Sequence, residues 1–381
     1  MGTWLQNLAL GWLIYRITGS PLLLGVVGFA GQIPALILTP LAGVYADRVN
    51  RRFVLILTQV FPMFFAFILS ALVFSNTIQE WHIIVLAILN GVFMAIDNPF
   101  RHAFVLDMIG DRELLQNAIA LNSTLYNSAR FIGPMIGGIL IALVGEAWCF
   151  LINGLSFLAV IISLLSMSVK QEISTETKGT VIDDLKEGLK YAFNFKPIRF
   201  LLIAVFMTSF FGLPFQVFLP VFAKDVLSGD SQLLGFITGV LGAGALSGSI
   251  YLASRRSMCG VPRLILLAIV IFGISLIGFS LSVNKWLSVF LIYFVGFGMI
   301  VQFASTNTLL QTISDVDKRG RMVSLYGLSF MGITPLGSLL LGTITPWAGV
   351  QYTMAVAGLF CLLAALIYSR RIPEIKQEVC K

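Results

Sequence analysis

Apolar stretches of the kind seen in LLLGVVGFAGQIPALILTPL, from Leu22 to Leu41, recur along nearly the whole chain. A helix of about 20 such residues crosses the roughly 30 Å hydrocarbon core of a bilayer. Lipid offers no hydrogen bonds to the backbone, so only helices and closed barrels can span it. The strict alternation of a barrel strand is missing, which leaves a helical bundle. Charged residues make up only 11% of the 381, against roughly 25% in a soluble domain. An integral membrane protein follows.

Twelve spans are predicted, near 3–17, 21–44, 53–75, 82–104, 115–143, 147–168, 199–223, 233–253, 263–283, 286–309, 322–345 and 350–369. The first apolar run leads straight into further spans, so it reads as a span and not as a cleaved leader. The gap GVYADRVNRR, 43–52, is basic, and so is every second loop after it. By that parity all of the 25 Lys and Arg residues are cytoplasmic except Arg16, Lys224, Lys285 and Arg130. Positive charge accumulates on the cytoplasmic side, so both termini are expected there. Trp81, Trp148, Trp286 and Trp347 sit by the opposite loops, where an interfacial aromatic belt belongs. The +7 net charge is therefore a topology signal, and nucleic acid is not an expected partner.

One long hydrophilic stretch, 169–198, divides the chain into halves at 1–168 and 199–369, followed by a tail at 370–381. Its second part, TVIDDLKEGLKYAFNF, pairs Thr180 with Asp183 like a capping box and lines up Ile182, Leu185, Leu189 and Phe193. An amphipathic helix on the cytoplasmic membrane surface is expected. GSPLLLGVVG is echoed by GDSQLLGFITG, and RFIGPMIGGIL by MGITPLGSLLLG. Two related six-helix halves, with a substrate held between them near the midplane, is a transporter plan.

Chemistry-bearing patterns are few. Cys149, Cys259, Cys361 and Cys380 lie in separate segments without metal-ligand spacing, and read as packing or free thiols. No metal or cofactor is expected. No nucleophile and base pair, zinc-ligand set or Gly-rich phosphate loop appears, which argues against an enzyme or a primary pump. Asp97 is the one acid placed inside a span, so it is the candidate proton carrier. Arg101, four residues on, is in reach of it on a helix, although Pro99 disturbs the turn between them. Arg130 lies deep in the fifth span, where a charge marks a wet cavity or a partner. Asp97, backbone carbonyls and an anionic part of a substrate are its three candidate partners. Gln6, Asn7, Asn90, Gln216, Gln302, Phe303 and Asn307 are cavity candidates on the first, fourth, seventh and tenth spans. Each of the amides is as compatible with helix packing as with substrate contact. A sparsely charged, partly aromatic cavity suits a small amphipathic organic molecule.

GVYADRVNRR after the second span resembles the loop motif of the major facilitator superfamily. ARFIGPMIGGIL in the fifth span resembles the Gly-Pro-x-x-Gly-Gly core typical of its drug and metabolite exporters. Longer stretches, NPFRHAFVLD and RGRMVSLYGLSF among them, are similar to the bacterial branch that holds the enterobactin exporter and macrolide efflux proteins. The resemblance implies a conformational switch at Gly43, Asp47, Arg48, Arg51 and Arg52. The Gly would permit close helix contact, the Asp would meet the start of the eleventh span, and the arginines would pair with acids at cytoplasmic helix ends. It implies an exporter helix motif at Gly133, Pro134, Gly137 and Gly138. It implies a monomeric secondary exporter in the bacterial plasma (inner) membrane, in contact with lipid and driven by protons. Ala87 stands where proton-coupled relatives often carry Arg, which departs from that arrangement. A non-transporting sensor or scaffold and a lysolipid transporter are the alternatives. The first span offers only about fifteen residues before Arg16, roughly 23 Å of helix. A chain beginning at an internal methionine, with a truncated first helix, is the expectation there.

Overall fold

The computed structural model describes residues 1–45, 49–108, 115–167, 181–255 and 257–379, and among them there is helix and no strand. The helices are α1 Gly2–Thr18, α2 Pro21–Tyr45, α3 Arg51–Phe74, α4 Glu80–Met108, α5 Leu115–Val144, α6 Glu146–Ser166 and α7 Val181–Asn194. They continue as α8 Lys196–Val226, α9 Ser231–Ala253, α10 Val261–Leu281, α11 Lys285–Ile313, α12 Arg319–Ala348, α13 Val350–Ser369 and α14 Ile372–Val379. Ten of them are long and apolar enough to cross a membrane among the described residues. The other two expected spans fall on α1, which has 17 residues, and on α5, whose apolar part runs Ser128–Val144. The chain is a multi-pass helical membrane protein.

Its helices form two compact units, Met1–Lys178 with Asp230–Phe236, and Gly179–Gly229 with Ile237–Lys381. Lipid supplies no hydrophobic force between helices, so contact depends on small residues that let backbones approach. In the first unit α2 packs on α4, where Gly91 faces the backbone of Gly31, and α3 packs on α6, where Phe67 fills the space over Gly154. In the second, α10 packs on α11 and α13, with Gly298 against Ala268 and Phe272, and Gly273 against Gly358.

α8 is not regular. A π turn at Thr208–Gly212, a 3-10 turn at Leu213–Phe218 and a second π turn at Phe222–Val226 interrupt it. Pro214 and Pro220 lack the N–H that would continue the ladder, so the backbone regroups around them. α12 has the same feature, a π turn at Leu328–Gly332 just before Pro335.

The hydrophilic stretch carries a helix where the amphipathic pattern predicts one. On α7 the stripe residues Leu189 and Phe193 are exposed, while Gly188 and Ala192 are buried on the other side. There Glu187 pairs with Arg321 at 2.8 Å, and the Lys318 ammonium lies 4.6 Å from the Tyr191 ring. Thr180 lies outside the described residues. Cys149 and Cys361 are free and buried, as expected. Cys259 is disulfide-bonded, which corrects the free-thiol reading for that residue; Cys380 lies outside the described residues.

Candidate functional site

The fifth helix is organised by two stripes of its own sequence. Tyr126, Arg130, Gly133 and Gly137 follow helical spacing, and all four face α1. A side chain started at Gly133 would come within 2.9 Å of the Trp4 Cβ, and one at Gly137 within 3.2 Å of Leu8. Pro134 and Gly138 point elsewhere, to the first turn of α9. There Gly138 lies against Gly235, and Ser231 donates to the Gly138 carbonyl at 3.2 Å. The Gly-Pro-x-x-Gly-Gly segment thus packs two different helices at once within the first unit.

Close approach of α1 and α5 puts Arg130 over an aromatic wall. Its guanidinium carbon sits 5.5 Å from the Trp4 ring centroid, and the Tyr126 ring meets Trp4 edge-on at 5.7 Å. Arg130 is half-buried and makes no hydrogen bond or ion pair among the described residues. Cation–π attraction offsets part of the cost of its desolvation, about 0.5–2 kcal/mol. It leaves all five N–H donors unused. Asp97, one of its expected partners, is engaged elsewhere.

Asp97 is 2% exposed, between α3 and α4. Thr58 donates to Oδ1 at 2.7 Å, Gln59 Nε2 donates to the same oxygen at 2.6 Å, and Arg101 Nε donates to Oδ2 at 2.8 Å. The pairing with Arg101 forms as its spacing predicts, in spite of Pro99. Thr58 and Gln59 escaped the sequence reading, although two polar residues in the middle of an apolar span are a signal of a buried partner.

At the start of α3 the two arginines diverge. Arg51 Nη1 donates to both carboxylate oxygens of Asp107, at 2.6 and 2.8 Å, joining α3 to the end of α4. Arg52 instead donates from Nε to the Leu164 carbonyl at 2.7 Å and from Nη2 to the Leu165 carbonyl at 2.6 Å. It caps the last turn of α6, where unsatisfied carbonyls carry the negative end of the helix dipole. Asn50 accepts from Phe53 N at 3.0 Å and caps α3. Among the described residues outside its own helix, no atom lies within 4 Å of where a Gly43 side chain would begin. Asp47 and Arg48 lie outside the described residues.

The cavity candidates separate. Gln6 is buried and accepts from Asn153 Nδ2 at 2.8 Å, which ties α1 to α6. Gln302 is wholly buried on α11 and donates to the Thr208 hydroxyl, which itself donates to the Ala204 carbonyl at 2.8 Å. Phe303 is 3% exposed, with its ring 4.5 Å from that of Phe330. These three sit in helix packing. Asn7 is exposed; Asn90, Gln216 and Asn307 are half-buried, with Gln216 Nε2 3.6 Å from the Met299 sulfur and Asn307 accepting from Gln311 at 3.2 Å. Around the first π turn of α8, the Ser209, Ser305 and Thr306 hydroxyls and the Gln302 Oε1 are buried and make no hydrogen bond within the described protein. Among the described residues no cluster of side chains has the make-up to hold a metal ion.

Residues 1–380 match the profile of the transmembrane secretion effector family. The chain belongs to that family. It is a branch of the major facilitator superfamily, whose loop and helix motifs the sequence resembles. The staphyloferrin A transporter of Staphylococcus aureus is 25% identical over 99% of this chain and 95% of its own length. The multidrug efflux pump Tap of Mycolicibacterium fortuitum is 23% identical over 96% of this chain and 91% of its own. Among solved structures, a D-xylose-proton symporter superposes with a TM-score of 0.73 at 13% identity, covering 98% of this chain and 97% of that one. A bacterial homologue of the human lysosomal transporter Spinster, inward-facing and unoccupied, gives 0.70 at 14% identity, covering 99% and 97%. At such identities the likeness speaks for the fold alone.

Proposed function

We propose that this transmembrane secretion effector is a secondary active exporter of the bacterial plasma membrane. It moves a small amphipathic organic molecule with an anionic group out of the cytoplasm by alternating access, as a monomer with both termini in the cytoplasm. The observation that carries the reading is Arg130, a membrane-embedded guanidinium laid on Trp4 with no acid to neutralise it among the described residues. A charge at that depth is costly unless function uses it. Its unused donors suit a carboxylate or catecholate, and Trp4 and Tyr126 suit the apolar part of the same molecule. Relatives named for a siderophore and for multidrug efflux support both halves of this substrate class.

Proton coupling is assigned to Asp97, with Arg101 as its counter-ion. Three donors on one buried carboxylate favour a second reading in which Asp97 only fastens α3 to α4. The cytoplasmic switch keeps the roles implied for Asp47 and Arg48, with Arg51 and Arg52 anchoring its base through Asp107 and the end of α6.

Uptake into inside-out vesicles tests the proposal. The panel is staphyloferrin A, a catecholate siderophore, a macrolide, a cationic dye and a lysolipid, each with and without a proton gradient. Gradient-driven uptake of an anionic amphiphile supports the exporter. Folded protein that moves none of the panel contradicts it and turns the reading toward a scaffold. Asp97→Asn decides the coupling: lost gradient dependence in folded protein supports the proton carrier, whereas a fall in melting temperature with coupling retained supports the fastener.

A further inference from the structure

The second unit holds a recess away from every residue discussed as transport machinery. It lies where the start of α8 meets the end of α13, has a volume of about 300 Å³, and is lined by Phe200, Leu363, Leu366, Ile367, Arg370 and Arg371. The α13 residues are not scattered. Leu363, Leu366, Ile367 and Arg370 follow i, i+3, i+4, i+7 spacing and form one stripe about 10 Å long. The stripe is apolar toward the membrane interior and cationic at its end.

The two arginines are not equivalent. Arg371 is neutralised by Glu374 at 2.6 Å, and its guanidinium carbon lies 4.9 Å from the Phe200 ring. Arg199 approaches the same ring at 5.3 Å and donates to the Phe193 carbonyl at 3.3 Å. Arg370 is exposed and makes no hydrogen bond or ion pair among the described residues. Leu363 and Leu366, on its stripe, are 41% and 53% exposed. An unneutralised guanidinium above bare leucines in a concave site matches the two ends of one amphiphile.

We propose that this recess binds an anionic phospholipid, with the phosphate on Arg370 and an acyl chain along Leu363, Leu366 and Ile367 against Phe200. A free phosphate ion would leave the apolar wall unused, and a zwitterionic lipid would bring its own cation to Arg371. The bound lipid bridges α8 and α13 at their charged ends. A basic pocket between helices at the cytoplasmic surface is where anionic headgroups collect, each nearby Arg contributing about 1 kcal/mol.

Native mass spectrometry of the full-length protein, released from nanodiscs of mixed phosphatidylglycerol and phosphatidylcholine, tests this directly. Phosphatidylglycerol is expected to be retained over phosphatidylcholine. Arg370→Gln should lower that retention about fivefold, the value of one such charge. Ile367→Trp, which fills the recess and keeps the charge, should lower it as well. Arg263→Gln, an exposed arginine at the start of α10, should not. Equal retention of the two lipids, retention unchanged by Arg370→Gln, or displacement of the lipid by millimolar inorganic phosphate would each overturn the proposal. Arg370 is exposed and without a partner among the described residues, so its variant tests binding and not folding.

Discussion

Adjacent arginines at the start of α3 do different work, and sequence alone gives no means of telling them apart. Arg51 finds a carboxylate 56 residues away, and Arg52 finds two carbonyls more than a hundred residues away. The Arg51 and Asp107 side chains are only 11% and 14% exposed, so their pairing should exceed the value of an exposed ion pair. A double-mutant cycle with Arg51→Gln and Asp107→Asn is expected to give a coupling of about 1–3 kcal/mol. Half-buried Lys318 and exposed Asp315, 3.9 Å apart, should give under about 1 kcal/mol. The Arg51 loop motif was legible because it is local. Its partner Asp107 was not, because nothing near it in the chain says where α3 begins in space. Asp97 was legible as an intramembrane acid and its pairing as an i, i+4 relation, whereas the bonds from Thr58 and Gln59 depend on how α3 lies on α4.

At the scale of the helix, the glycines of α5 make a graded prediction. Gly138→Ala would place a Cβ 2.8 Å from the Gly235 backbone, which cannot yield as a side chain would; a loss of about 1–3 kcal/mol is expected. Gly137→Ala meets the Leu8 Cδ2 and the Leu5 Cγ at 3.2 and 3.4 Å, looser contacts than that backbone, and should cost less. Gly43→Ala meets nothing among the described residues outside its helix and should stabilise that helix by about 0.5–1 kcal/mol. Thermal unfolding in one detergent ranks the three, and the reverse order would contradict the packing. In α8, Thr208→Val removes the hydroxyl that receives the Gln302 amide and should cost about 1–3 kcal/mol; adding Gln302→Leu, which removes the stranded amide too, should recover most of it. The π turns behind this contact were not foreseen. Proline positions mark where a helix departs from regularity, but whether the ladder widens or tightens depends on neighbours such as Phe272 and Cys361, which pack against Gly212.

For the whole molecule, the placement of the apolar helices was readable because bilayer thickness sets the same length requirement on every spanning segment. Ten qualifying spans, with α1 and α5 in the places of the other two, follow the apolar pattern. The parity of Lys and Arg predicts that a fluorescent protein fused after Lys381 will fluoresce and that a periplasmic phosphatase fused there will be inactive. The cavity list was the less legible part: Gln6 bonds Asn153 and Gln302 donates to Thr208, and the pattern of an apolar span does not distinguish an amide that bonds a neighbour from one that bonds a ligand. Arg130 remains the residue on which the transport reading turns. The most direct measurement is initial uptake of an anionic siderophore and of a cationic dye by inside-out vesicles carrying wild type or Arg130→Gln at matched, folded protein levels. A loss of at least tenfold for the anion, with the dye little changed or improved, is the predicted result. Equal uptake of the siderophore by both proteins would contradict the assignment of Arg130 as the anchor of an anionic substrate.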